Sequence, residues 1–380
     1  MLKSIFSRLS KKEESELISQ FKKSQSFQES LIENFKEYIN NLEGRIAVIC
    51  HKDVDGICSA AIFSSALRKI KKKEVIMFKS YNYDKIFQDN LIKEIISKDI
   101  KRVIFLDMDL EKHINSIKKI QDFAQILIVD HHPSEISFSL PSVLIITSQM
   151  LKKNSYYPTS LLIYDLFCKI ENISELDWIA AIGIISDNCY EHNSVFVNSV
   201  IKKYRFSEEK NIWDTTLGKA AKKIYYSLVY DKTNDILCYN TLLNSKSIEN
   251  LSKLDKFYNI IEKEVSFYLD FRNSEFELYP ELNLAFMKII PKHDISSIIA
   301  NILSKEKPNR TLIVITDTAD KLVKISLRRQ DCKIAMNELV KKATENLKEG
   351  SGGGHIASAG GYIRREDIQK FKNNVINLLK

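Results

Sequence analysis

Ile49-Cys50-His51-Lys52-Asp53-Val54-Asp55-Gly56-Ile57-Cys58-Ser59-Ala60 joins two different sequence patterns. On its N-terminal side, Arg45-Ile46-Ala47-Val48-Ile49-Cys50 is a short apolar run rich in β-branched residues, which predicts a buried strand. On its C-terminal side, Ile57, Ala60, Ala61, Ser64, Ser65 and Leu67 continue at helical spacing. His51, Asp53 and Asp55 therefore sit on the turn at a strand's carboxyl end, the edge where open α/β sheets bind ligands. One His and two Asp within five residues offer nitrogen and oxygen donors suited to a divalent metal. Gly56 lets the backbone turn tightly into the helix. Taken alone, the motif has ordinary explanations. Asp-x-Asp-Gly also occurs in calcium loops, and an Asp before a helix is commonly an N-cap.

The chain repeats the device. Arg102-Val103-Ile104-Phe105-Leu106 is a strand pattern ending in Asp107-Met108-Asp109, and Gln125-Ile126-Leu127-Ile128-Val129 ends in Asp130-His131-His132-Pro133. Further strands are expected at Glu74–Phe78 and Val143–Thr147, with helices at Phe87–Ser97 and Ile114–Ile120. Strands alternating with helices predict an α/β fold with a doubly wound parallel sheet. Three strand tips of one chemical character, in step with that alternation, are a stronger sign than any one of them. After Pro158-Thr159-Ser160 the chain turns helical. Asp177 to Ser186 is an apolar helix that stops at Asp187-Asn188, and a carboxylate at the end of a buried helix needs a partner, either a metal or a cap.

The flanks carry less. Residues 1–44 are Glu/Lys-rich, with Leu17, Ile18, Phe21, Phe27, Leu31, Ile32, Phe35 and Ile39 spaced for one or two amphipathic helices packed on the domain edge. Residues 195–280 are expected to be mostly helical, with a connecting helix near Leu254–Leu269. A second α/β pattern follows: a strand at Leu284–Ile289, a helix at Ile295–Leu303, a hairpin of Thr311–Thr316 and Leu322–Leu327 around Asp317–Asp320, and a helix at Met336–Leu347. Six of the ten glycines, Gly350, Gly352, Gly353, Gly354, Gly360 and Gly361, then cluster near the C-terminus.

At 380 residues, two domains are expected. Charged residues are 28% and hydrophobic ones 44%, the balance of a soluble globular protein. No apolar run is long enough to span a membrane, and the N-terminus lacks the apolar core of a signal peptide. The six cysteines are scattered without a Cys-x-x-Cys pair. Cys50, Cys58, Cys168 and Cys189 fall in apolar segments and are expected to be buried free thiols, which fits a reducing cytoplasm. The net charge of +8 suits a polyanionic partner, and Lys69, Lys71, Lys72 and Lys73 are candidates to guide one.

These motifs, in this order, resemble a DHH-family phosphoesterase with a DHH-associated C-terminal domain, and within that family the RecJ-like nucleases of archaeal type. The matching residues are His51-x-Asp53-x-Asp55-Gly56, Asp107, Asp130-His131-His132, and Asp187 after Gly183-Ile184-Ile185-Ser186. In the C-terminal part they are Ser326-Leu327-Arg328 and Gly352-Gly353-Gly354-His355-Ile356-Ala357-Ser358-Ala359-Gly360. The resemblance spans residues 45 to 365 and leaves 1–44 uncovered. The apolar spacing of 1–44 makes that stretch an N-terminal helical extension, and the resemblance implies a DHH catalytic domain at 45–255 (helical from about 195), a connecting helix at 256–280 and a substrate-binding domain at 281–380. The active site would lie in the cleft between the two domains. Asp109 stands where the family has a small residue.

The resemblance implies two manganese ions, with magnesium second. His51, Asp53 and Asp107 would hold one, and Asp55, Asp107, His131 and Asp187 the other, with Asp107 shared. Asp130 would orient a ligand, and His132 would contact the phosphate or protonate the leaving oxygen. Ser326, Arg328, Gly352, Gly353, Gly354 and His355 would grip substrate, the glycines by backbone N–H groups at a helix start. The expected activity is single-stranded DNA or RNA exonucleolysis releasing mononucleotides, in DNA repair or replication. A small-substrate phosphoesterase acting on short oligonucleotides, phosphoadenosine phosphate or cyclic dinucleotides is the alternative, and a non-catalytic replication scaffold is another. A GINS replication complex is a partner by resemblance only.

Overall fold

A computed structural model of the chain describes residues 11–82, 87, 90–133, 140–270, 276–317 and 321–380, with side chains from residue 25 onward except at 112. The first ten residues of the N-terminal extension, residues 88–89 of an expected helix, 271–275 of the expected connecting segment and the hairpin tip at 318–320 lie outside the described residues. The chain forms two compact units, Met1–Leu228 with Lys232–Asp255, and Val229–Asp231 with Lys256–Lys380.

The first unit runs α1 (Lys11–Asn40), β1 (Arg45–His51), α2 (Val54–Lys71), β2 (Met77–Tyr81), α3 (Leu91–Ser97), β3 (Ile100–Leu106), α4 (Ile114–Gln121), β4 (Gln125–Asp130) and β5 (Val143–Thr147). Helices α5 (Thr159–Cys168), α6 (Asp177–Ser186), α7 (Tyr190–Tyr204), α8 (Thr216–Tyr230) and α9 (Asp235–Leu243) follow. The strands pair in the order β2-β1-β3-β4-β5, all parallel. Ile46–Cys50, Val103–Leu106 and Ile126–Val129 are buried without interruption. Burial on both faces is why these strands read as apolar runs and not as alternating patterns. Helix α2 packs against α5 and α6, and α6 is buried from Asp177 to Ile185. Phe167 of α5 meets Phe35 of α1 and Phe63 of α2 edge-on, at 5.3 and 5.5 Å, so α1 is anchored to this core by its second half. No described helix is long and apolar enough to cross a membrane.

The second unit contains α10 (Asp255–Asp270), β6 (Phe276–Tyr279), β7 (Leu284–Ile289), α11 (Ser296–Glu306), β8 (Thr311–Thr316), β9 (Leu322–Arg328), α12 (Met336–Thr344), β10 (Ser351–Gly354), β11 (Ser358–Arg364) and α13 (Ile368–Leu379). Its sheet order is β10-β11-β9-β8-β7-β6, with only β7 and β8 parallel. One face buries Phe286, Ile313, Ile325, Leu327 and Ala359 against α12 and α13, while α11 packs on β8 and β9.

The structure corrects several local expectations. Strand β2 begins at Met77, three residues late, although Ile76 N–H already bonds Ile46 O of β1. Helix α3 starts at Leu91, not Phe87. Residues 276–279, expected to be helical, pair with β7 as an edge strand. The glycine run is no helix start. Gly352 and Gly353 pair with Gly361 and Gly360, and Val340 of α12 packs over Gly352. Glycine disfavours strands, so pairing and packing overrode propensity there. Cys168 is exposed, since α5 ends on it, whereas Cys50, Cys58 and Cys189 are buried.

Candidate active site

Three neighbouring parallel strands, β1, β3 and β4, end on one edge, so their C-terminal residues converge. From β1, the Asp53 side chain caps α2, its Oδ1 accepting from Gly56 N–H at 2.9 Å. A Cβ on Gly56 would lie 2.4 Å from the His51 carbonyl oxygen, so only glycine allows this tight return. His51 Nδ1 sits 2.7 Å from Asp53 Oδ2 and 3.7 Å from Asp107 Oδ2. At the end of β3, Asp107 adopts a left-handed conformation with φ +61°. Asp tolerates this region better than most residues, and the turn aims the carboxylate across the strand tips. From β4, His131 Nε2 lies 3.4 Å from Asp107 Oδ1 and 3.7 Å from Asp187 Oδ2. His132 Nδ1 lies 2.8 Å from Asp130 Oδ1 and 3.9 Å from Asp107 Oδ1.

The donor atoms of His51, Asp53 and Asp107 lie within 4.8 Å of one another, as do those of Asp107, His131 and His132. Asp187 joins through His131. Asp55 is held differently: its two oxygens accept from the Thr159 and Ser160 N–H groups at the start of α5, at 2.9 and 3.2 Å. Asp130 orients His132, its Oδ1 also accepting from the N–H groups of His131 and His132. Asp109 is half-buried outside both clusters.

The electrostatics favour cations. Burial, then the charges of Asp53 and Asp55, holds Asp107 well above the usual carboxylate range. Burial and the Asp187 charge push Asp55 up to about 7, and burial raises Asp187. Asp53 is the exception: burial pushes it up, but the contacts from His51 and the Gly56 N–H outweigh this and bring it to about 2. Burial opposes protonation of His132, yet the Asp130 hydrogen bond outweighs it and lifts the imidazole to about 9. Several acids thus crowd a buried space where their like charges repel, and a shared cation removes that cost. Hard oxygens and imidazole nitrogens are the donor set for manganese or magnesium. The residues present therefore fit divalent cations.

The roles of three contributors, Thr159, Ser160 and Gly183, were not evident from sequence. Thr159 donates its hydroxyl to Asp107 Oδ1 at 3.1 Å, and the Thr159 and Ser160 amides hold Asp55. The signal was Pro158 ahead of two small polar residues that open an otherwise apolar helix. Gly183 of α6 leaves the space those groups need: a Cβ there would lie 2.5 Å from Asp55 Oδ1.

The second-unit candidates divide. Ser326 is buried against Ser296. Arg328 is 7% exposed, and its guanidinium donates to Asn301 Oδ1 at 2.6 Å and to the Leu327 and Ala359 carbonyls. His355 is exposed at the β10–β11 turn, where its backbone exchanges hydrogen bonds with Ser358. The four lysines in and just after the last turn of α2 make structural contacts. Lys69, Lys71 and Lys73 bond the Asn172, Asn40 and Leu42 carbonyls, and Lys72 ends the helix in a left-handed turn. The 18 residues of α2 put them roughly 27 Å from the strand tips.

The model of the DHH family, N-terminal domain, matches residues 45–184, and that of the DHHA1 domain matches residues 282–380. No curated protein gives a significant match to the chain. Among solved structures, RecJ from Thermus thermophilus in complex with Mn2+ superposes with a TM-score of 0.64 at 16% identity, covering 93% of this chain and 54% of that one. This chain thus spans about half the length of the Thermus protein. The pGpG-specific phosphodiesterase PggH from Vibrio cholerae gives 0.54 at 11% identity, over 88% of this chain and 99% of that one. CDC45 from Entamoeba histolytica gives 0.54 at 14%, over 94% and 99%. Such identities speak to the fold alone. With both domain models matched in order, the chain belongs to the DHH family, a DHH domain followed by a DHHA1 domain on a RecJ-like phosphoesterase fold.

Proposed function

We propose that this protein is a two-metal phosphodiesterase that degrades single-stranded DNA or RNA from an end and releases mononucleotides. The observation that carries the proposal is the division of the Asp107 carboxylate. Its Oδ2 faces His51, while its Oδ1 faces His131 and His132. A carboxylate shared between two donor sets is what a paired-cation site requires. When bound, the cations would neutralise charge on the attacking and leaving oxygens and activate water. His51, Asp53 and Asp107 would hold one, and Asp107, His131, Asp187 and Asp55 the other. His132, oriented by its 2.8 Å hydrogen bond to Asp130 Oδ1, is placed to give a proton to the leaving oxygen. The Thermus RecJ structures contain Mn2+ or Mg2+, which guides the choice of metals to test.

The test is kcat/KM on substrates from two to about twenty nucleotides, as DNA and as RNA, across a salt series. Release of mononucleotides in Mn2+ and its loss on chelation are expected. Efficiency should rise with length, with a log–log salt slope of about −0.7 for each phosphate neutralised. A maximum at two or three nucleotides with a flat salt response would favour the small-substrate alternative, a fold PggH shares. No release at all under any metal would favour a scaffold, as the CDC45-like fold allows.

For the second unit we propose that His355 contacts substrate and that Arg328 holds the sheet together. His355→Ala should raise KM several-fold with Tm unchanged. Arg328→Ala leaves Asn301 and two carbonyls without their charged donor, so it should lower Tm, at about 1–3 kcal/mol for such a loss. Equal melting of the two variants would reverse the assignment of Arg328.

A further inference from the structure

We propose that Tyr156 and His192 form a stacking platform for a base of the single strand beside the metal centre, a placement that rests on the nucleic-acid function above. Within the first unit, the loop after β5 and the start of α7 are tied together. Asn193 Nδ2 donates to the Tyr156 carbonyl at 2.7 Å and to the Cys189 carbonyl at 2.8 Å, at a non-helical step inside α7. The Tyr156 N–H bonds Asn154 Oδ1 at 3.0 Å. So fixed, the Tyr156 and His192 rings stack with centroids 3.9 Å apart and planes 11° from parallel.

This stack is not core. Tyr156 is 49% exposed, His192 is exposed, and Val195, one turn further along α7, is 86% exposed. A rigid, solvent-facing pair of rings with an apolar neighbour suits one kind of occupant, another flat ring. Every nucleobase has a π face, so such a platform accepts any sequence. The surrounding charge divides the work. Lys152 and Lys153 are exposed on the same loop and suit phosphates, whereas Glu191 beside His192 disfavours a phosphate there and leaves the ring faces as the contact.

Both arms of the platform start from the metal centre. The Ser155 carbonyl, next to Tyr156, accepts from His131 Nδ1 at 2.8 Å. Asp187, five residues before His192, has its Oδ2 3.7 Å from His131 Nε2. A base on the platform therefore belongs to a nucleotide close to the scissile phosphate.

The experiment uses the full chain and a single strand of about twelve nucleotides carrying 2-aminopurine, kept intact in EDTA. Wild type should quench the probe on binding. Tyr156→Ala should raise Kd about 5- to 100-fold, while Tyr156→Phe, which keeps the ring, should stay within about twofold. His192→Ala, which leaves the Ser155 contact alone, should also weaken binding and quenching. The Mn2+-induced rise in Tm should persist in all three. Unchanged affinity in Tyr156→Ala and His192→Ala overturns the platform, as does loss of the Mn2+ response in both variants, which would mean the pair only supports His131. If those variants match a wild type that binds and degrades single strands, only the platform falls. If wild type neither binds nor degrades them, the functional proposal falls with it.

Discussion

Asp107→Asn is expected to give a folded protein that melts higher than wild type without metal, gains nothing from Mn2+ and has lost turnover. The substitution isolates charge from shape. Asn tolerates the left-handed conformation at φ +61° about as well as Asp, and its oxygen can still accept from Thr159. What disappears is a buried negative charge among Asp53, Asp55 and Asp130. Burial and those neighbours raise Asp107 above its ordinary value, so its ionisation opposes folding. That cost is absent below the unfolded pKa, about 3.9, and present in full once the pH exceeds the raised folded value. Metal-free wild type and variant should therefore differ little in acid, and the variant should gain its advantage as pH rises. In Mn2+ the order reverses. A ligand at 100 times its Kd stabilises the folded state by about 2.7 kcal/mol, a gain open only to a protein whose site is complete. The activity loss should exceed the roughly 10–100-fold typical of residues that merely support a metal ligand. Wild-type turnover by Asp107→Asn in Mn2+ would refute the shared carboxylate.

The strand tips were legible in sequence because each candidate residue follows an uninterrupted apolar run. β1, β3 and β4 are buried on both faces, so their ends are marked by the first polar residues, His51, Asp107 and Asp130. Parallel pairing then puts those residues on one edge without further information. Asp187 was legible for the same reason, as the polar stop of a helix buried all round. The rest depended on contacts distant in the chain. Nothing local says that Thr159 reaches Asp107 across 52 residues, or that two amides of α5 hold Asp55. The glycine run misled because its conformation is set by partners. Only pairing with β11 and the cover of α12 make a strand of Ser351–Gly354. Arg328 reads as an anion contact by residue type, and the structure adds what the sequence does not show, a buried guanidinium that donates to Asn301 and two carbonyls.

Gly183→Ala is expected to damage stability and metal binding together, although it adds a single methyl group at a helical position. On helix propensity alone, alanine should stabilise α6 by about 1 kcal/mol. The site reverses the sign. The new Cβ would stand 2.1 Å from Ser160 Oγ, 2.5 Å from Asp55 Oδ1 and 2.7 Å from Ser160 Cβ. Rotating the serine hydroxyl relieves only the first contact, because the serine Cβ is itself too close. Helix α5 or α6 must move, and α6 is buried along its length, so no shift is free. Overpacking of this kind costs about 1–3 kcal/mol or more, enough to cancel the propensity gain and lower Tm. Separating the helices also draws the Thr159 and Ser160 amides away from Asp55, so the carboxylate loses the bonds that seat it. Mn2+ affinity should then fall by at least the roughly 10–100-fold seen when outer supports of a metal site are lost. Adding Ser160→Ala removes the worst contact and should restore part of the affinity, but not all, since the 2.7 Å contact remains. If Gly183→Ala melted no lower than wild type and titrated Mn2+ with unchanged affinity, the close approach of α6 to α5 would not be what positions Asp55.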